Sequence, residues 1–298
     1  MNRILAKKNG NKNDILFIIL GAIHGNEPVG IKVIEKLFFA LKTVSVTGTV
    51  VGIIGNKKAY SKGVRYIEHD LNRLFLKNII EESYAKKNPT NEYKELIELI
   101  DCIRNEIKQT IPKRIFLIDV HSTSADSPLF SIVNDDETTW EIAAAMQTPV
   151  VTGLSGKFPV GSTVEYFIQE NFDVPITAVS VEVGQHKDSK TIQHAFNYLV
   201  KMFEYIGLIE KSAIEISGAD SDIKNLPTLV KFIYRHAISP DDAFAMNKGY
   251  ESFQAVKKGE ILGSDKTGPV ISPQDGYILM PLYQKQGNDG FFLVGKFM

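Results

Sequence analysis

The sequence predicts an α/β protein: a mixed, largely parallel sheet flanked by helices, with a small C-terminal β domain. Three observations carry that prediction. Residues 15–20 form a continuous apolar run, the pattern of a strand buried on both faces, and residues 115–120 and 176–181 repeat the buried-strand character. Strand-like and helix-like segments alternate as far as about Ile206, as in a sheet covered on both sides. Beyond a polar stretch at residues 217–222 the character changes to short β-rich segments between turns such as Lys257-Lys258-Gly259-Glu260 and Pro273-Gln274-Asp275-Gly276. Two domains are therefore expected, residues 1–215 and residues 222–298. With 298 residues, 44% of them hydrophobic, the chain is long enough to bury a large core.

The first strand runs into Gly21-Ala22-Ile23-His24-Gly25-Asn26-Glu27. Pro28 suits the first turn of the helix that follows, where Ile31, Val33, Ile34, Leu37 and Phe38 recur at helical spacing. An imidazole and a carboxylate thus stand three residues apart at the carboxyl end of a strand, the edge where open α/β sheets bind ligands. One His and one Glu are two of the three protein ligands of a His₂Glu catalytic zinc site. Residues 49–54 read as a further strand, ending at Gly55-Asn56, and Asn56 is expected to line the same edge. The strand at 115–120 delivers His121 before the small polar loop Ser122-Thr123-Ser124, which supplies a third ligand. Asp119, two residues earlier on the same strand face, is placed to brace a ligand by hydrogen bonding. The strand at 176–181 delivers Glu182, a carboxylate positioned as general base toward an activated water. Each piece has a plainer reading. A His-x-x-Glu pair also fits a solvated helix start, His121 a satisfied interior histidine, and Glu182 a helix cap. Three strand ends converging on one chemistry favour a metal site. A helix-like segment at residues 93–107 holds Cys102, read as a packing residue, and Thr191–Tyr205 closes the first domain with Ile192, Phe196, Leu199, Val200 and Phe203 apolar.

Composition removes several function classes. A net charge of −1 gives no broad attraction to nucleic acid or an anionic membrane. A single cysteine excludes an intramolecular disulfide framework and fits a reducing compartment. No apolar stretch approaches the roughly 18 residues of a spanning helix. Lys7 and Lys8 before the first apolar run imitate a signal peptide, yet the run leads into the His24 motif instead of a cleavage site, so a cytoplasmic protein is expected. Homo-oligomerisation is left open.

Four motifs together carry a family resemblance: His24-Gly25-Asn26-Glu27, Asp70-Leu71-Asn72-Arg73, Asp119-Val120-His121-Ser122 and Val181-Glu182-Val183-Gly184. In this order, from about Leu16 to Gly184, they resemble the succinylglutamate desuccinylase/aspartoacylase family, a branch of the zinc carboxypeptidase-like hydrolases. The resemblance implies a Zn²⁺ cofactor held by His24, Glu27 and His121, with Glu182 as catalytic acid/base. It implies Arg65 as the group that polarises the substrate carbonyl, and Asn72 and Arg73 as binders of the α-carboxylate of a small N-acyl amino acid. Arg65 and Arg73 also fit an ion-pair network with Glu68 and Asp70. Tyr166, in Gly161-Ser162-Thr163-Val164-Glu165-Tyr166-Phe167, is expected to line the pocket. Enzymes of this type that act on acylated aspartate carry a further arginine shortly before the catalytic Glu. Here Lys157 is the one cation between His121 and Glu182, which puts a second acidic group on the substrate in doubt. A C-terminal β domain in this family narrows the mouth of the site, and Tyr283 or Lys285 is placed to reach it. The implied activity is zinc-dependent deacylation. A metallocarboxypeptidase-like hydrolase of a peptide or cell-wall fragment, and a zinc-dependent binding protein without turnover, are the alternatives.

Overall fold

A computed structural model describes residues 2–153, 161–168, 172–218 and 226–297. Lys157 and residues 219–222 of the polar stretch lie outside the described residues.

The elements run β1 (Ile4–Lys8), β2 (Ile15–Gly21), α1 (Val29–Ala40), β3 (Thr49–Ile54), α2 (Lys57–Lys62), α3 (Lys77–Ala85), α4 (Asn91–Thr110), β4 (Arg114–Thr123), β5 (Phe130–Ile132), α5 (Glu137–Ala145), β6 (Val150–Thr152), α6 (Thr163–Ile168), β7 (Ile176–Gln185) and α7 (Thr191–Tyr205). The C-terminal part adds β8 (Leu229–Ala237), β9 (Ala245–Met246), β10 (Ala255–Val256), β11 (Ile261–Asp265), β12 (Gly268–Ile271), β13 (Gly276–Leu279) and β14 (Asp289–Lys296).

The centre of the main sheet is the parallel set β3-β2-β4-β7, with β1 antiparallel on one edge. On the other side β5 runs antiparallel to β7, then β6 and β8 continue in parallel, and β14, β13 and β10 complete an antiparallel region. A separate small sheet is formed by β12, β11 and β9. The architecture is thus the mixed α/β sheet with C-terminal antiparallel strands that the sequence predicts. The pairing of β6 with β8 ties the C-terminal strands directly to the N-terminal sheet.

Both faces of the central strands are buried, so their side chains divide between two cores. Phe17, Ile19, Phe116, Ile118, Val179 and Val181 pack against α1 and α7, through Val33, Ile34, Leu37, Leu199 and Phe203. Leu16, Ile18, Leu20, Ile115 and Leu117 pack on the opposite side, where Leu96, Leu99, Ile100 and Ile103 of α4 meet them. This alternation follows from the two-residue period of a strand and explains why these strands read as unbroken apolar runs.

Two strands overshoot their expected ends. β4 continues through His121 to Thr123, and β7 continues through Glu182 to Gln185. Mutual pairing sustains them: His121 stands opposite Glu182, and Phe130 of β5 stands opposite Glu182 from the other side. His121 and Glu182 therefore sit within strands, beside a register shift between His121 and Thr123. The α4 helix is likewise longer than residues 93–107.

Candidate metal centre and cleft

His24 and Glu27 lie in the turn between β2 and α1. The turn is tight for a steric reason. A Cβ on Gly25 would sit 2.1 Å from the Ala59 carbonyl carbon, so only glycine lets this loop pass against α2. Gly21 likewise lies against Gly30, where a Cβ would come within 2.7 Å of backbone, which lets α1 start close to the end of β2. The Glu27 N–H donates to the His24 carbonyl at 3.1 Å, bringing the two side chains to one side.

The three expected ligands converge. Glu27 Oε1 is 2.9 Å from His24 Nδ1, and Glu27 Oε2 is 3.1 Å from His121 Nδ1. The Ser122 N–H donates to the same Oε2 at 3.0 Å. One donor atom from each of His24, Glu27 and His121 lies within 4.8 Å of the others, and all three residues are buried. The outer nitrogens face carboxylates: His24 Nε2 is 3.0 Å from Asp70 Oδ1, and His121 Nε2 is 2.9 Å from Asp119 Oδ2. With its Nε2–H directed at Asp70, the His24 ring turns an Nδ1 lone pair toward Glu27, and His121 Nδ1 faces the same carboxylate. Three acceptors then face one another in a dry site, which requires a cation or protons among them. Burial opposes charge on Glu27, but His24 and His121 hold its carboxyl well below the usual range. Burial opposes charge on His121 as well, and Asp119 with Glu27 nevertheless raises it well above the usual imidazole value. Two imidazoles and one carboxylate, each braced from behind, suit a metal ion of the zinc type. Asp119 lies beside His121 as the sequence suggests, and its Oδ2 also accepts from the Thr163 hydroxyl. Asp70 braces His24, a role that no local pattern around Asp70 signals.

Glu182 enters this cleft from β7. It is 8% exposed, its Oε2 is buried without a hydrogen-bond partner, and burial pushes its carboxyl up to about 7. Arg65 reaches in from the loop after α2. Its Nε and Nη2 contact Asp70 Oδ2 at 3.1 and 3.0 Å, and its Nη1 is 3.4 Å from Glu27 Oε1. The expected ion pair of Arg65 with Asp70 thus exists within the cleft itself. The loop carrying Arg65 is anchored by Glu92 of α4, fully buried, which accepts from the N–H groups of Ile67, Glu68 and His69 at 2.8, 3.0 and 3.2 Å.

Asn72 and Arg73 follow Asp70 in a single 3₁₀ turn and line the cleft. Asn72 Oδ1 accepts from the Thr163 N–H at 3.0 Å, while Arg73 donates to Asp289 at 2.6 Å. The wall of the cleft also includes Ser122, Ser124, Glu165, Gln284 and Asn288. A strip before β14 runs across it: Gln284 accepts from Asn26 at 2.8 Å and Gln286 accepts from the Arg65 N–H at 3.1 Å.

Two expected cleft residues sit elsewhere. Asn56 is fully buried outside the lining, where its Oδ1 caps α2 through the Ala59 N–H and its Nδ2 donates to Glu92. Tyr166 packs among Phe75, Phe167 and Phe172 and accepts a hydrogen bond from Arg104; its neighbours Val164 and Glu165 face the cleft instead. A step of one residue turns a helix by about 100°, enough to move Tyr166 from the cleft into the core. Of the C-terminal pair, Tyr283 donates to the Asn247 carbonyl, and neither it nor Lys285 lines the cleft; Gln284 between them does.

Residues 15–204 match the succinylglutamate desuccinylase/aspartoacylase catalytic domain. The chain belongs to this family. A probable aspartoacylase of Acaryochloris marina (strain MBIC 11017) is 32% identical over 135 residues, covering 43% of this chain and 41% of that protein. The succinylglutamate desuccinylase of Pseudomonas fluorescens (strain SBW25) is 25% identical over 287 residues, covering 93% and 80%. The chain spans about two fifths of the length of the first curated relatives it matches, 41% and 39%. The crystal structure of succinylglutamate desuccinylase from Vibrio cholerae superposes with a TM-score of 0.69 at 17% identity, over 96% of this chain and 82% of that one. A product-bound ectoine utilization protein from Ruegeria pomeroyi gives 0.66 at 18%, over 96% and 87%. At these identities the structural likeness concerns the fold. Membership of the succinylglutamate desuccinylase/aspartoacylase family agrees with the resemblance carried by the four motifs. Among the described residues no helix is long and apolar enough to cross a membrane.

Proposed function

We propose that the protein is a zinc-dependent deacylase that hydrolyses the amide bond of a small N-acyl amino acid. The observation that carries this reading is the meeting, in one cleft, of a three-residue ligand set with a buried carboxyl that has an unpartnered oxygen. His24, Glu27 and His121 would hold the zinc, with Asp70 and Asp119 fixing the two rings. A bound zinc ion supplies Lewis-acid chemistry and lets water act as a nucleophile at neutral pH.

The chain's own groups account for the remaining steps. Glu182 takes the proton of the attacking water at its free Oε2 and returns it to the departing amine; a carboxyl raised by burial is suited to both tasks. Arg65 directs its guanidinium toward the carbonyl oxygen as that oxygen gains negative charge. Asp70, itself buried, holds Arg65 in place. Arg73, whose Nη1 and Nη2 are held by the Asn72 carbonyl and Asp289, offers its positive charge to the substrate carboxylate, and Asn72 offers its amide nitrogen. The strip with Leu282, Gln284 and Gly287, tied to Asn26 and Arg65, forms part of the cleft wall and supports a small substrate over a peptide or cell-wall polymer. Retention of both Glu182 and Arg65 beside a complete ligand set speaks for turnover, because binding alone needs neither.

The test is a panel of N-acetyl, N-formyl and N-succinyl amino acids given to zinc-loaded protein, with peptides and esters alongside. Amine release from at least one N-acyl amino acid, with no peptide cleaved faster, is the expected result. Hydrolysis of peptides alone would move the protein to the carboxypeptidase-like reading. No hydrolysis anywhere in the panel would leave a binding protein.

A further inference from the structure

Part of the cleft is occupied by a carboxylate of the protein's own. Asp289, at the start of β14, is 8% exposed and holds two arginines at once. Its Oδ2 accepts from Arg73 Nη2 at 2.6 Å and its Oδ1 accepts from Arg235 Nε at 2.5 Å. Arg73 spends Nη1 on the Asn72 carbonyl at 2.7 Å, which leaves Nε as a buried donor without a partner. Two guanidinium groups share this carboxylate, and Asp70 and Glu165 also lie close enough to act on Arg73.

Among the described residues the lining adds one other guanidinium, that of Arg65. It carries four carboxyl groups, on Glu27, Glu165, Glu182 and Asp289, against two guanidinium groups, on Arg65 and Arg73, among the described residues. Arg65 is already engaged by Asp70 and Glu27. A substrate carboxylate that reaches Arg73 meets its guanidinium, whereas a second carboxylate placed beside the first meets Asp289 and Glu165. The wall beside these groups is apolar. Ile132 of β5, Phe232 of β8, Met280 and Phe292 of β14 line the cleft, and all four belong to or pack against one buried cluster with Phe130, Val151 and Leu279. That packing fixes them in place, so the wall is a rigid apolar surface.

We propose that Asp289 and this apolar wall restrict the cleft to N-acyl amino acids that carry one carboxylate and an otherwise uncharged, apolar body. This inference rests on the deacylase reading and narrows its substrate class. The alternative role for Asp289 is structural, a cross-strand ion pair that fixes β14 against β8.

The experiment compares N-acyl leucine and N-acyl phenylalanine with N-acetylaspartate and N-succinylglutamate, on zinc-loaded parent protein and on Asp289→Asn. The parent should favour the apolar monoacids by at least about tenfold in kcat/KM. In Asp289→Asn the ratio of diacid to monoacid kcat/KM should rise by about tenfold or more. A parent that prefers the diacids, or a variant that lowers both classes by one common factor, overturns the proposal. If the variant does not fold, the preference of the parent decides alone. Calorimetric binding of the same compounds separates this inference from the deacylase reading. Tighter binding of the monoacids without turnover would sink the deacylase and keep the restriction. Turnover with diacid preference would do the reverse, and binding of neither class would overturn the restriction.

Discussion

Around the metal centre, every candidate ligand comes from two neighbouring parallel strands, β2 and β4, or from the turn that leaves β2. Around Arg73, the facing groups come from segments more than two hundred residues apart: Arg73 and Asp289 differ by 216 positions. The first region is set by the pairing of adjacent parallel strands, which brings Glu27 and His121 together across 94 positions. Backbone pairing of Gly21 with Val120 brings the ends of the two strands together, and Gly25 and Gly21 let the intervening turn fold tightly. The second region exists only after β14 has paired with β8 and the strip before it has crossed the cleft. On the proposed reading, chemistry lies in the parallel centre of the sheet and selectivity in the part that the C-terminal strands close. Changes around the metal centre should abolish turnover, and changes around Arg73 should alter which substrate is chosen.

The largest effect is expected from removing the metal. Chelation, or His121→Ala, should take hydrolysis to background, and elemental analysis of the parent should find about one zinc per chain. Full activity in metal-free protein would break the distinction at its root. Glu182→Gln comes next. It should keep its zinc and substrate affinity while turnover falls by about 10²–10⁴-fold, the usual loss on removing a general acid/base. Loss of zinc from this variant would make Glu182 a ligand.

Asp70→Asn should be milder, because it touches the metal through His24 and the carbonyl-facing side through Arg65. Zinc affinity should fall by about 10–100-fold, read by competition with a chromogenic chelator. An unchanged affinity would show that the His24–Asp70 contact does not brace the ring.

The smallest effect sharpens the comparison through Glu92, which lies outside the cleft but ties down the Arg65 loop. Its backbone hydrogen bonds from Ile67, Glu68 and His69, opposed by burial, hold its carboxyl below the ordinary value. A carboxyl lowered by folding adds stability that is present above the unfolded value, near pH 4.5, and is lost as pH falls through the folded one. Glu92→Gln should therefore lower stability by about 1–3 kcal/mol at pH 7, with zinc content unchanged. The difference from the parent should shrink below about pH 4.5, as the parent's own carboxyl becomes protonated. A gap that stays constant from pH 7 to pH 4 would mean that the ionised carboxylate is not what holds the loop.

His24, Glu27, His121 and Asp119 were legible in the sequence because each is placed by its position relative to an apolar strand. Alternation puts Asp119 and His121 on one face, and the strand's carboxyl end puts both beside the β2 turn. Asn56 carried the same signal at the end of β3 and yet points away, since its side chain finds better partners in the Ala59 N–H and Glu92. A strand end is thus a sign of access to the cleft, and the local hydrogen bonds decide whether the side chain uses it. Tyr166 shows the same limit in a helix, where Glu165 and not its neighbour faces the cleft.

By itself the sequence determined the α/β class and picked out His24, Glu27 and His121 as a candidate ligand set, because both follow from hydrophobic periodicity and from residues adjacent to it. Tertiary structure alone decided the partners of those residues: Asp70 behind His24, Glu92 beneath the Arg65 loop, Asp289 between Arg73 and Arg235. Asp289 lies in Gly287-Asn288-Asp289-Gly290, a segment whose composition says only that the chain turns. Its charge matters because strand pairing carries it to two arginines far away in sequence, and no local pattern encodes a contact formed by the closing of the whole sheet.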